Sequence, residues 1–166
     1  MVIKIREANC LENSILSEIS FAAKRYWDYP EEYFKIWKEE LTVTQEYIEK
    51  NIVYVAEIDK VLVGFFLIVE VPNEFWAGKV FVKKGFWLEH IFIKPEYIRK
   101  GIGTKLMRYV NSICEEKGID CLNIFSDPNA KGFYNKIGAK YIGESLSSIE
   151  NRTVSLYQYY IPQSKS

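Results

Sequence analysis

The sequence predicts a mixed α/β (α+β) fold with a central, mostly antiparallel sheet of six to seven strands and about four helices. Two observations support this class. Short runs rich in β-branched and aromatic residues recur along the chain, and amphipathic stretches with a helical period lie between them. Two of these runs, residues 51–58 and 61–71, are separated only by Asp59 and Lys60, which predicts an antiparallel hairpin.

The elements are predicted in the order β, helices, three β, α, β, α, β, β. Residues 2–6 form the first strand, and residues 139–146 and 153–161 form the last two. The helix that begins near residue 11 is expected to bury one face, made of Leu11, Ile15, Ile19 and Tyr26. A helix that begins after residue 101 is expected to bury a clearer stripe: Leu106, Met107, Val110, Ile113 and Cys114.

The composition indicates one compact domain over residues 1–166. Of the 166 residues, 48% are hydrophobic and 16% are aromatic, and the net charge is zero, which argues against a general nucleic-acid binder. Cys10, Cys114 and Cys121 are too few and too scattered for a disulfide framework or a zinc site, so no metal is expected. No signal peptide or apolar run of membrane-spanning length is present. A cytoplasmic protein with no membrane partner is predicted.

Two segments allow more than one interpretation. Residues 28–50 carry seven acids against three bases, which fits either a solvated helical face or an acidic rim that attracts a cationic amine. Residues 72–84 form either a loop or a hairpin extension of the strand that follows. Their aromatic residues are candidates for a substrate pocket, a subunit contact or ordinary packing: Phe75, Trp76 and Phe81.

The most informative stretch is residues 87–109. It reads as a strand that ends before Pro95, then a basic turn with Gly101 and Gly103, and then a helix. Glycine lets the backbone approach a ligand closely, and free N–H groups at a helix N-terminus favour phosphate. Positive charge is supplied at the same place by Arg99, Lys100 and Lys105. The turn is therefore predicted to bind a pyrophosphate.

Other phosphate-binding turns fit this stretch less well. A dinucleotide-binding G-x-G-x-x-G turn needs glycine or alanine at position 106, where this chain has Leu106. The P-loop pattern G-x-x-x-x-G-K-[ST] does not occur in the sequence. Both turns are also expected within repeated βαβ units, whereas an antiparallel hairpin precedes this one.

The strand at 87–93, the turn IRKGIG at 98–103 and the later segment DPNAKGFYNKIGA at 127–139 together resemble the GNAT superfamily of acetyl-coenzyme A-dependent N-acetyltransferases. The turn of that superfamily usually reads Q/R-x-x-G-x-G/A, so Ile98 here replaces its Gln or Arg. A bacterial and archaeal subgroup is most similar, and it shares the segment GESLSSI at 143–149. The resemblance implies a single GNAT domain whose twisted sheet splays at the cofactor site.

The resemblance also implies where acetyl-coenzyme A binds. The pyrophosphate would sit on backbone amides of the turn, and the pantetheine arm would pair with the preceding strand as an added strand does. Because Ile98 offers no polar group, side-chain charge would come from Arg99 or Lys100. The implied cofactor contacts are Ile91, Phe92, Ile93, Arg99, Lys100, Gly101, Ile102, Gly103, Thr104, Asn129 and Phe133.

Catalytic candidates follow from the same comparison. Tyr134 stands where the superfamily has its general acid, and a phenol with a pKa of about 10 is protonated at neutral pH. Glu89 and His90 are candidates for the base, on opposite faces of one strand, with ordered water as the alternative. Arg152 is a candidate for binding a substrate carboxylate. Each of these side chains could instead be structural.

The predicted activity is transfer of acetyl from acetyl-coenzyme A to a primary amine by direct attack on the thioester. The acceptor stays open among small-molecule amines, protein N-termini and lysine side chains. Two other classes compete with the enzyme: a non-catalytic coenzyme A-binding or sensing domain on the same fold, and a structural protein that assembles through its aromatic surface. The last two strands and the aromatic residues of 72–84 are compatible with a homodimer.

Overall fold

The computed structural model describes residues 1–163 and contains five helices and nine strands in that part of the chain. The helices are α1 (Asn13–Arg25), α2 (Glu31–Leu41), α3 (Gln45–Lys50), α4 (Ile102–Lys117) and α5 (Lys131–Lys136). The strands are β1 (Lys4–Glu7), β2 (Ile52–Ile58), β3 (Val61–Val71), β4 (Phe75–Ala77), β5 (Val80–Val82), β6 (Gly85–Ile93), β7 (Cys121–Ser126), β8 (Lys140–Leu146) and β9 (Thr153–Tyr160).

Seven of the strands form one sheet in the order β1-β2-β3-β6-β7-β9-β8, and β4 and β5 form a separate antiparallel hairpin. The pairs β1/β2, β2/β3, β7/β9 and β8/β9 are antiparallel, whereas β6/β7 is parallel. The predicted mixed α/β class with a mostly antiparallel sheet is confirmed. Residues 1–163 contain five helices, close to the predicted number of about four.

The described residues divide into two compact units that share strands β3 and β6 and helix α4. The first contains Met1–Ile68 and His90–Val110, and the second contains Val69–Glu89 and the residues from Asn111 onward. The prediction of one domain over residues 1–166 includes three residues, 164–166, that lie outside the described residues.

The first unit confirms the predicted hairpin of β2 and β3. Asp59 and Lys60 connect the strands, and both have positive φ angles, 51° and 66°. Positive φ at both central residues is the type I′ arrangement, whose twist matches that of the flanking strands. Seven consecutive residues of β3, from Leu62 to Ile68, are buried, so both faces of this strand are covered.

The predicted buried face of α1 is confirmed at Ile19 and wrong at Leu11, Ile15 and Tyr26. Leu11 lies outside the helix and is 73% exposed, and Ile15 is also exposed. The buried positions are Leu16, Ile19 and Ser20. Asn9 caps a short 3-10 turn ahead of α1, so the helix begins two residues later than the pattern suggested. The predicted stripe of α4, by contrast, is buried at all five positions.

In the second unit, β9 lies between β7 and β8 and pairs with both. Its register runs from Cys121↔Tyr160 to Ser126↔Ser155 on one side, and from Lys140↔Gln158 to Leu146↔Thr153 on the other. Helix α5 ends at Lys136 and is followed by Gly138, whose φ of +88° lets the Ala139 N–H donate to the Tyr134 carbonyl at 3.0 Å. This backbone hydrogen bond stabilises the C-terminal end of the short helix.

Residues 72–84 were predicted to form either a loop or a hairpin extension, and they form a hairpin. Strands β4 and β5 pair from Phe75↔Val82 to Ala77↔Val80, and the ring centroids of Trp76 and Phe81 lie 5.1 Å apart.

Among the helices of residues 1–163, none combines the length and the apolar composition that a membrane-spanning helix needs.

Candidate active site

The backbone before α4 takes an unusual path. After β6, a 3-10 turn over Pro95–Tyr97 leads into Arg99 and Gly101, whose φ angles are +66° and +79°. Glycine adopts this left-handed conformation freely, whereas it costs a residue such as arginine about 1–2 kcal/mol. A Cβ atom built on Gly101 would meet no other heavy atom within 4 Å, so open space faces this residue. Such retained strain is typical of functional turns.

Charge and backbone donors occur together at this turn. The side chains of Arg99 and Lys100 are exposed, and the first N–H groups of α4 have no partner inside the helix. Lys105 keeps its positive charge, and its ammonium donates a hydrogen bond to the Ile3 carbonyl at 2.5 Å. Of the remaining predicted contacts, Ile102 is buried, Gly103 is half-buried and Thr104 is exposed.

Strand β6 is held on its β3 side. The Lys94 N–H donates to the Val63 carbonyl at 2.8 Å, and a Cβ on Gly64 would lie 2.8 Å from the Phe92 carbonyl oxygen. Glycine is therefore required at position 64 for close approach of the two backbones. The predicted cofactor contacts Ile91, Phe92 and Ile93 are half-buried, although they belong to an inner strand of the sheet.

On its other side, β6 pairs with β7 through a single pair, Trp87↔Asn123, near its N-terminal end. Trp87 and Leu88 are buried, and the change to half-buried residues begins at Glu89. A parallel ladder that stops after one pair leaves later backbone N–H and C=O groups of that strand without a strand partner on that edge. Such an edge is suited to pairing with an extended, amide-rich ligand.

His90 is held by a neighbouring helix. Its Nε2 lies 2.9 Å from the Glu40 carbonyl oxygen of α2, and its ring stacks on Phe92 at 4.9 Å. Because a carbonyl can only accept, Nε2–H must be the donor, and the basic nitrogen of the neutral ring is Nδ1. Glu89, the other predicted base, points to the opposite face by strand alternation and is half-buried.

The turn before α5 is built on Asp127. Its Oδ1 accepts hydrogen bonds from the backbone N–H of Asn129 at 2.8 Å and from Asn129 Nδ2 at 3.1 Å. Asp127 therefore caps this turn, with Pro128 at the first position of the turn. Asn129, a predicted cofactor contact, is exposed at the tip of this turn.

Tyr134, the predicted general acid, is 6% exposed and packs against aromatic neighbours. Its ring centroid lies 5.4 Å from that of Phe133 and 5.8 Å from that of Tyr157. Burial, followed by the negative charge of Asp127, raises the pKa of its phenol above the ordinary value. The phenol is therefore protonated throughout the neutral range.

The hydroxyl of Tyr134 makes no hydrogen bond within residues 1–163, yet every fully buried side-chain polar atom of those residues has a partner. The hydroxyl oxygen therefore keeps some accessible surface, although the ring around it is packed. A protonated phenol with an accessible oxygen is able to donate to a bound ligand.

Arg152, the predicted substrate contact, pairs with Asp127 at 3.6 Å. No local pattern in the sequence predicts this ion pair, because the two residues are far apart in the chain and only the placement of the β8–β9 loop joins them. A cation–π cluster in the first unit was not predicted either: Lys24 Nζ lies 4.6 Å from the Trp37 ring and 5.8 Å from the Tyr29 ring. The helical spacing of Tyr29, Tyr33 and Trp37 is the signal for that cluster.

The acidic segment at residues 28–50 is partly neutralised by one base before it and one base within it. Glu31 pairs with Arg25 at 2.7 Å, and Glu46 pairs with Lys50 across one helical turn at 2.5 Å. These pairs support the interpretation of a solvated helical face. Within residues 1–163, no group of three or more His, Cys, Asp or Glu side chains is arranged to hold a metal ion.

The predicted site residues fall into the two units. The first unit brings together His90, the end of β6 and the turn before α4, and the second brings together Asp127, Asn129, Phe133, Tyr134 and Arg152. The features that the resemblance to an acetyl-coenzyme A-dependent transferase implies are divided between the two units: the basic glycine turn lies in the first and the buried phenol lies in the second.

Comparison with known proteins supports that class. The family model described as the acetyltransferase (GNAT) family matches residues 22–139. The chain therefore belongs to the GNAT acetyltransferase family, and the predicted resemblance is confirmed. A search of curated proteins gives no match.

Solved structures with the same fold cover nearly the whole chain. The PaiA N-acetyltransferase from Thermoplasma acidophilum, in complex with coenzyme A, is 21% identical with a TM-score of 0.75, over 96% of this chain and 99% of that chain. The ribosomal-protein-S18-alanine N-acetyltransferase from Escherichia coli is 14% identical with a TM-score of 0.67, over 99% and 97%. A GNAT acetyltransferase from Brucella melitensis, in complex with acetyl-CoA, is 17% identical with a TM-score of 0.63, over 99% and 92%. At these low sequence identities, the structural similarity shows that the proteins share a fold.

Proposed function

We propose that this protein transfers acetyl from acetyl-coenzyme A to a primary amine, with residues 1–166 acting as one N-acetyltransferase domain. Membership of the GNAT family supports acetyl transfer in general. The observation that carries the proposal is the turn before α4, where Arg99 and Gly101 keep left-handed conformations beside open space. At Arg99 this conformation falls between a strand and the N-terminus of α4, whose first N–H groups have no partner inside the helix.

The turn fits a pyrophosphate through its backbone. Ile102, Gly103 and Thr104 supply the first N–H groups of α4, and the exposed Arg99 and Lys100 supply positive charge. Ile98 contributes no polar group, so binding depends on the path of the backbone more than on any one side chain. The half-buried residues Ile91–Ile93 are proposed to pair with the pantetheine arm, and Asn129 and Phe133 to contact the same ligand.

The bound thioester supplies the activated acetyl group, and the chain supplies proton transfer. Tyr134 is proposed to donate its phenolic proton to the departing thiolate sulfur, because the raised pKa keeps that proton in place at neutral pH. The packed rings of Phe133 and Tyr157 hold the phenol in one orientation. Because the phenol is already held in one orientation, the reaction does not have to restrict its rotation further.

The incoming amine must lose a proton, and three routes are proposed for it. Nδ1 of His90 is the first, because Nε2–H is used in the bond to the Glu40 carbonyl. Glu89 acting through water is the second, and ordered water alone is the third. Both side chains lie on β6, the strand that leads into the turn.

The acceptor class is proposed to be an amine that is small or exposed at a chain end. Among proteins with this fold, one is named for acetylating alanine of ribosomal protein S18. A protein N-terminus therefore belongs in the test panel beside small amines and lysine peptides. Cytoplasmic location stays a prediction.

The test measures release of free coenzyme A from acetyl-coenzyme A over this panel, with binding measured separately by calorimetry. We expect acetyl-coenzyme A to bind and at least one amine to accelerate release. A protein that binds the cofactor while no amine accelerates release would instead be a coenzyme A-binding or sensing domain. Absence of binding together with an unchanged melting temperature at saturating cofactor would overturn the proposal.

A further inference from the structure

A cavity of about 480 Å³ lies within the second unit, at the N-terminal end of β6. This volume falls in the range of about 300–1,000 Å³ that is usual for small-molecule sites. The cavity is lined by two segments, residues 83–86 and 118–121, together with Asn123 of β7 and Gln158 and Tyr160 of β9. None of these residues is among those proposed for acetyl transfer, so the cavity is a separate candidate site.

The two segments carry opposite charges. Lys83 and Lys84 precede β6, and no carboxylate within residues 1–163 forms an ion pair with either ammonium. On the other segment, Asp120 is exposed and has no ion-pair partner in the same part of the chain. This segment also follows the end of α4 at Lys117, where the last carbonyls of a helix carry about half a negative charge. The cavity therefore offers both positive and negative charge to a ligand.

The carboxamides of the cavity are joined by long hydrogen bonds. Asn123 Nδ2 donates to the Phe86 carbonyl at 3.3 Å, and Gln158 Nε2 donates to Asn123 Oδ1 at 3.5 Å. The Tyr160 hydroxyl donates to Gln158 Oε1 at 3.3 Å, whereas the hydroxyl of Tyr159 on the same strand makes a bond of 2.7 Å. Ordinary bonds of these kinds are about 2.7–3.0 Å long. The carboxamides are thus weakly bonded within the protein and can bond more strongly to a ligand.

The backbone around the cavity is fixed. The Trp87 indole N–H donates to the Lys83 carbonyl at 2.9 Å, and the Asp120 carbonyl accepts a backbone N–H at 2.9 Å. Gly85 has a φ of +132°, and a Cβ atom there would lie 3.2 Å from Asn123 Nδ2. Glycine at this position therefore leaves room for the buried carboxamide. A site whose backbone is already placed loses little entropy when a ligand binds.

We propose that this cavity binds a free α-amino acid, with Lys83 and Lys84 on the side of its carboxylate and Asp120 and the end of α4 on the side of its ammonium. The carboxamides of Asn123 and Gln158 would bond to the polar atoms of the same ligand. A phosphate or a simple carboxylate matches only the lysines and is repelled by Asp120, and a simple amine has the opposite mismatch. The inference goes beyond the proposed function and does not depend on it.

The test measures ligand binding to the full chain without acetyl-coenzyme A, so that no acetyl transfer occurs. A fluorinated tyrosine at position 160 reports occupancy of this cavity through its fluorine resonance, and calorimetry gives the Kd. The ligands are the standard L-amino acids, with propionate and ethylamine as controls that each lack one of the two charges. The variants are the double substitution of Lys83→Met with Lys84→Met, and Asp120→Asn. Lys79→Met is the matched control, because Lys79 is exposed and does not line the cavity.

We expect at least one amino acid to shift the fluorine resonance saturably, and propionate and ethylamine to bind at least about tenfold more weakly. The double lysine variant should weaken amino acid binding at least about tenfold. Asp120→Asn should weaken binding of the amino acid but strengthen that of propionate, and Lys79→Met should change neither.

Three results would overturn the inference: no saturable shift with any amino acid, propionate binding as tightly as the amino acids, or amino acid affinity that the double lysine variant leaves unchanged. The first two are measured on the parent protein, so they need no variant to fold. The proposed function fails separately, because release of coenzyme A does not require this cavity. Loss of acetyl transfer with intact amino acid binding would count against the proposed function alone.

Discussion

His90 Nε2 lies 2.9 Å from the backbone carbonyl oxygen of Glu40, one of the last carbonyls of α2. The carbonyls at a helix C-terminus lack intrahelical partners, so the imidazole supplies a donor that the helix end needs. The same contact assigns the proton of the neutral ring to Nε2. His90 therefore combines a structural contact, made by one nitrogen, with a candidate chemical role for the other.

Replacement of His90 can separate these two roles. Glutamine offers an amide N–H donor at a position similar to Nε2 but no basic nitrogen, whereas alanine offers neither. If Nδ1 is the base, we expect His90→Gln to keep the melting temperature and to lose about 10²- to 10⁴-fold in kcat. We expect His90→Ala to lose about 1 kcal/mol of stability as well. Full activity in His90→Gln would show that the ring is structural, which leaves Glu89 or water.

Substitution of Gly101 tests the pyrophosphate turn. Alanine at a φ of +79° should cost about 1–2 kcal/mol and displace the backbone, so we expect the Kd for coenzyme A to rise at least about tenfold. Calorimetry measures this directly. Gly132→Ala is the matched control, since Gly132 lies in α5, has open space around it and shows no positive φ. That variant should be slightly stabilised and bind normally, and equal affinities in the two proteins would contradict the prediction.

Removal of the Tyr134 hydroxyl tests the acid. The hydroxyl makes no hydrogen bond within residues 1–163, so Tyr134→Phe should leave the free energy of unfolding within about 0.5 kcal/mol of the parent. Turnover should fall by about 10²-fold or more if the phenol donates a proton. Tyr157→Phe serves as the comparison, because its hydroxyl contacts Asn135 Oδ1 at 3.0 Å and its loss should affect stability instead. Unfolding and coenzyme A release are both measured.

Stability should fall in alkaline solution, with a contribution from the buried thiol of Cys114. Burial raises the pKa of the Cys114 thiol from an ordinary 9.0 to about 11. Between pH 9 and 11 the unfolded chain loses this proton while the native protein keeps it, so the unfolded state binds fewer protons and stability decreases as pH rises. Burial also raises the pKa of Tyr134 and Tyr159, which extends the decline above pH 10. Denaturant unfolding of Cys114→Ala should show a flatter profile from pH 9 to 11, and an identical slope would contradict this.

The hairpin of β4 and β5 offers a test of the predicted homodimer. Trp76 is 67% exposed at this hairpin, next to the exposed Phe75. If these aromatic residues form a subunit contact, Trp76→Ser should lower the dimer fraction measured by light scattering. Trp27→Ser, at another exposed tryptophan, should not change it. A monomeric parent protein, or a dimer that Trp76→Ser leaves intact, would show that this surface is not the interface.

The sequence predicted the fold best where one strong periodic signal spans a whole element. The stripe of α4 and the hairpin of β2 and β3 are confirmed. A helix buried on one face has apolar residues at helical spacing, whereas a strand buried on both faces, such as β3, is a continuous apolar run, so the two sequence patterns are distinct. The face of α1 was wrong because its start depends on a cap at Asn9 and a 3-10 turn. Such a turn changes the phase of the helix without changing its composition.

The parts of the candidate site that could be predicted from the sequence are those built from residues close together in the chain. The turn at Arg99–Gly101 and the Asp127 cap are local, so their residue types and spacing carry the information. The pairs His90–Glu40 and Arg152–Asp127 join residues that are distant in sequence, and no local pattern encodes them. Likewise, the hydrogen bond from Lys105 to the Ile3 carbonyl is a tertiary contact, which a count of charged residues cannot reveal.

The position of β9 between β7 and β8 has a consequence for synthesis on the ribosome. Because β9 follows both neighbours in the sequence, β7 and β8 emerge before the strand that joins them. Until then, β8 exposes backbone groups of an unpaired edge, and Tyr134 lacks the Tyr157 ring against which it packs. The nascent chain therefore depends on β9 to complete this part of the sheet, and the surroundings of the proposed acid are assembled only after β9 has been synthesised.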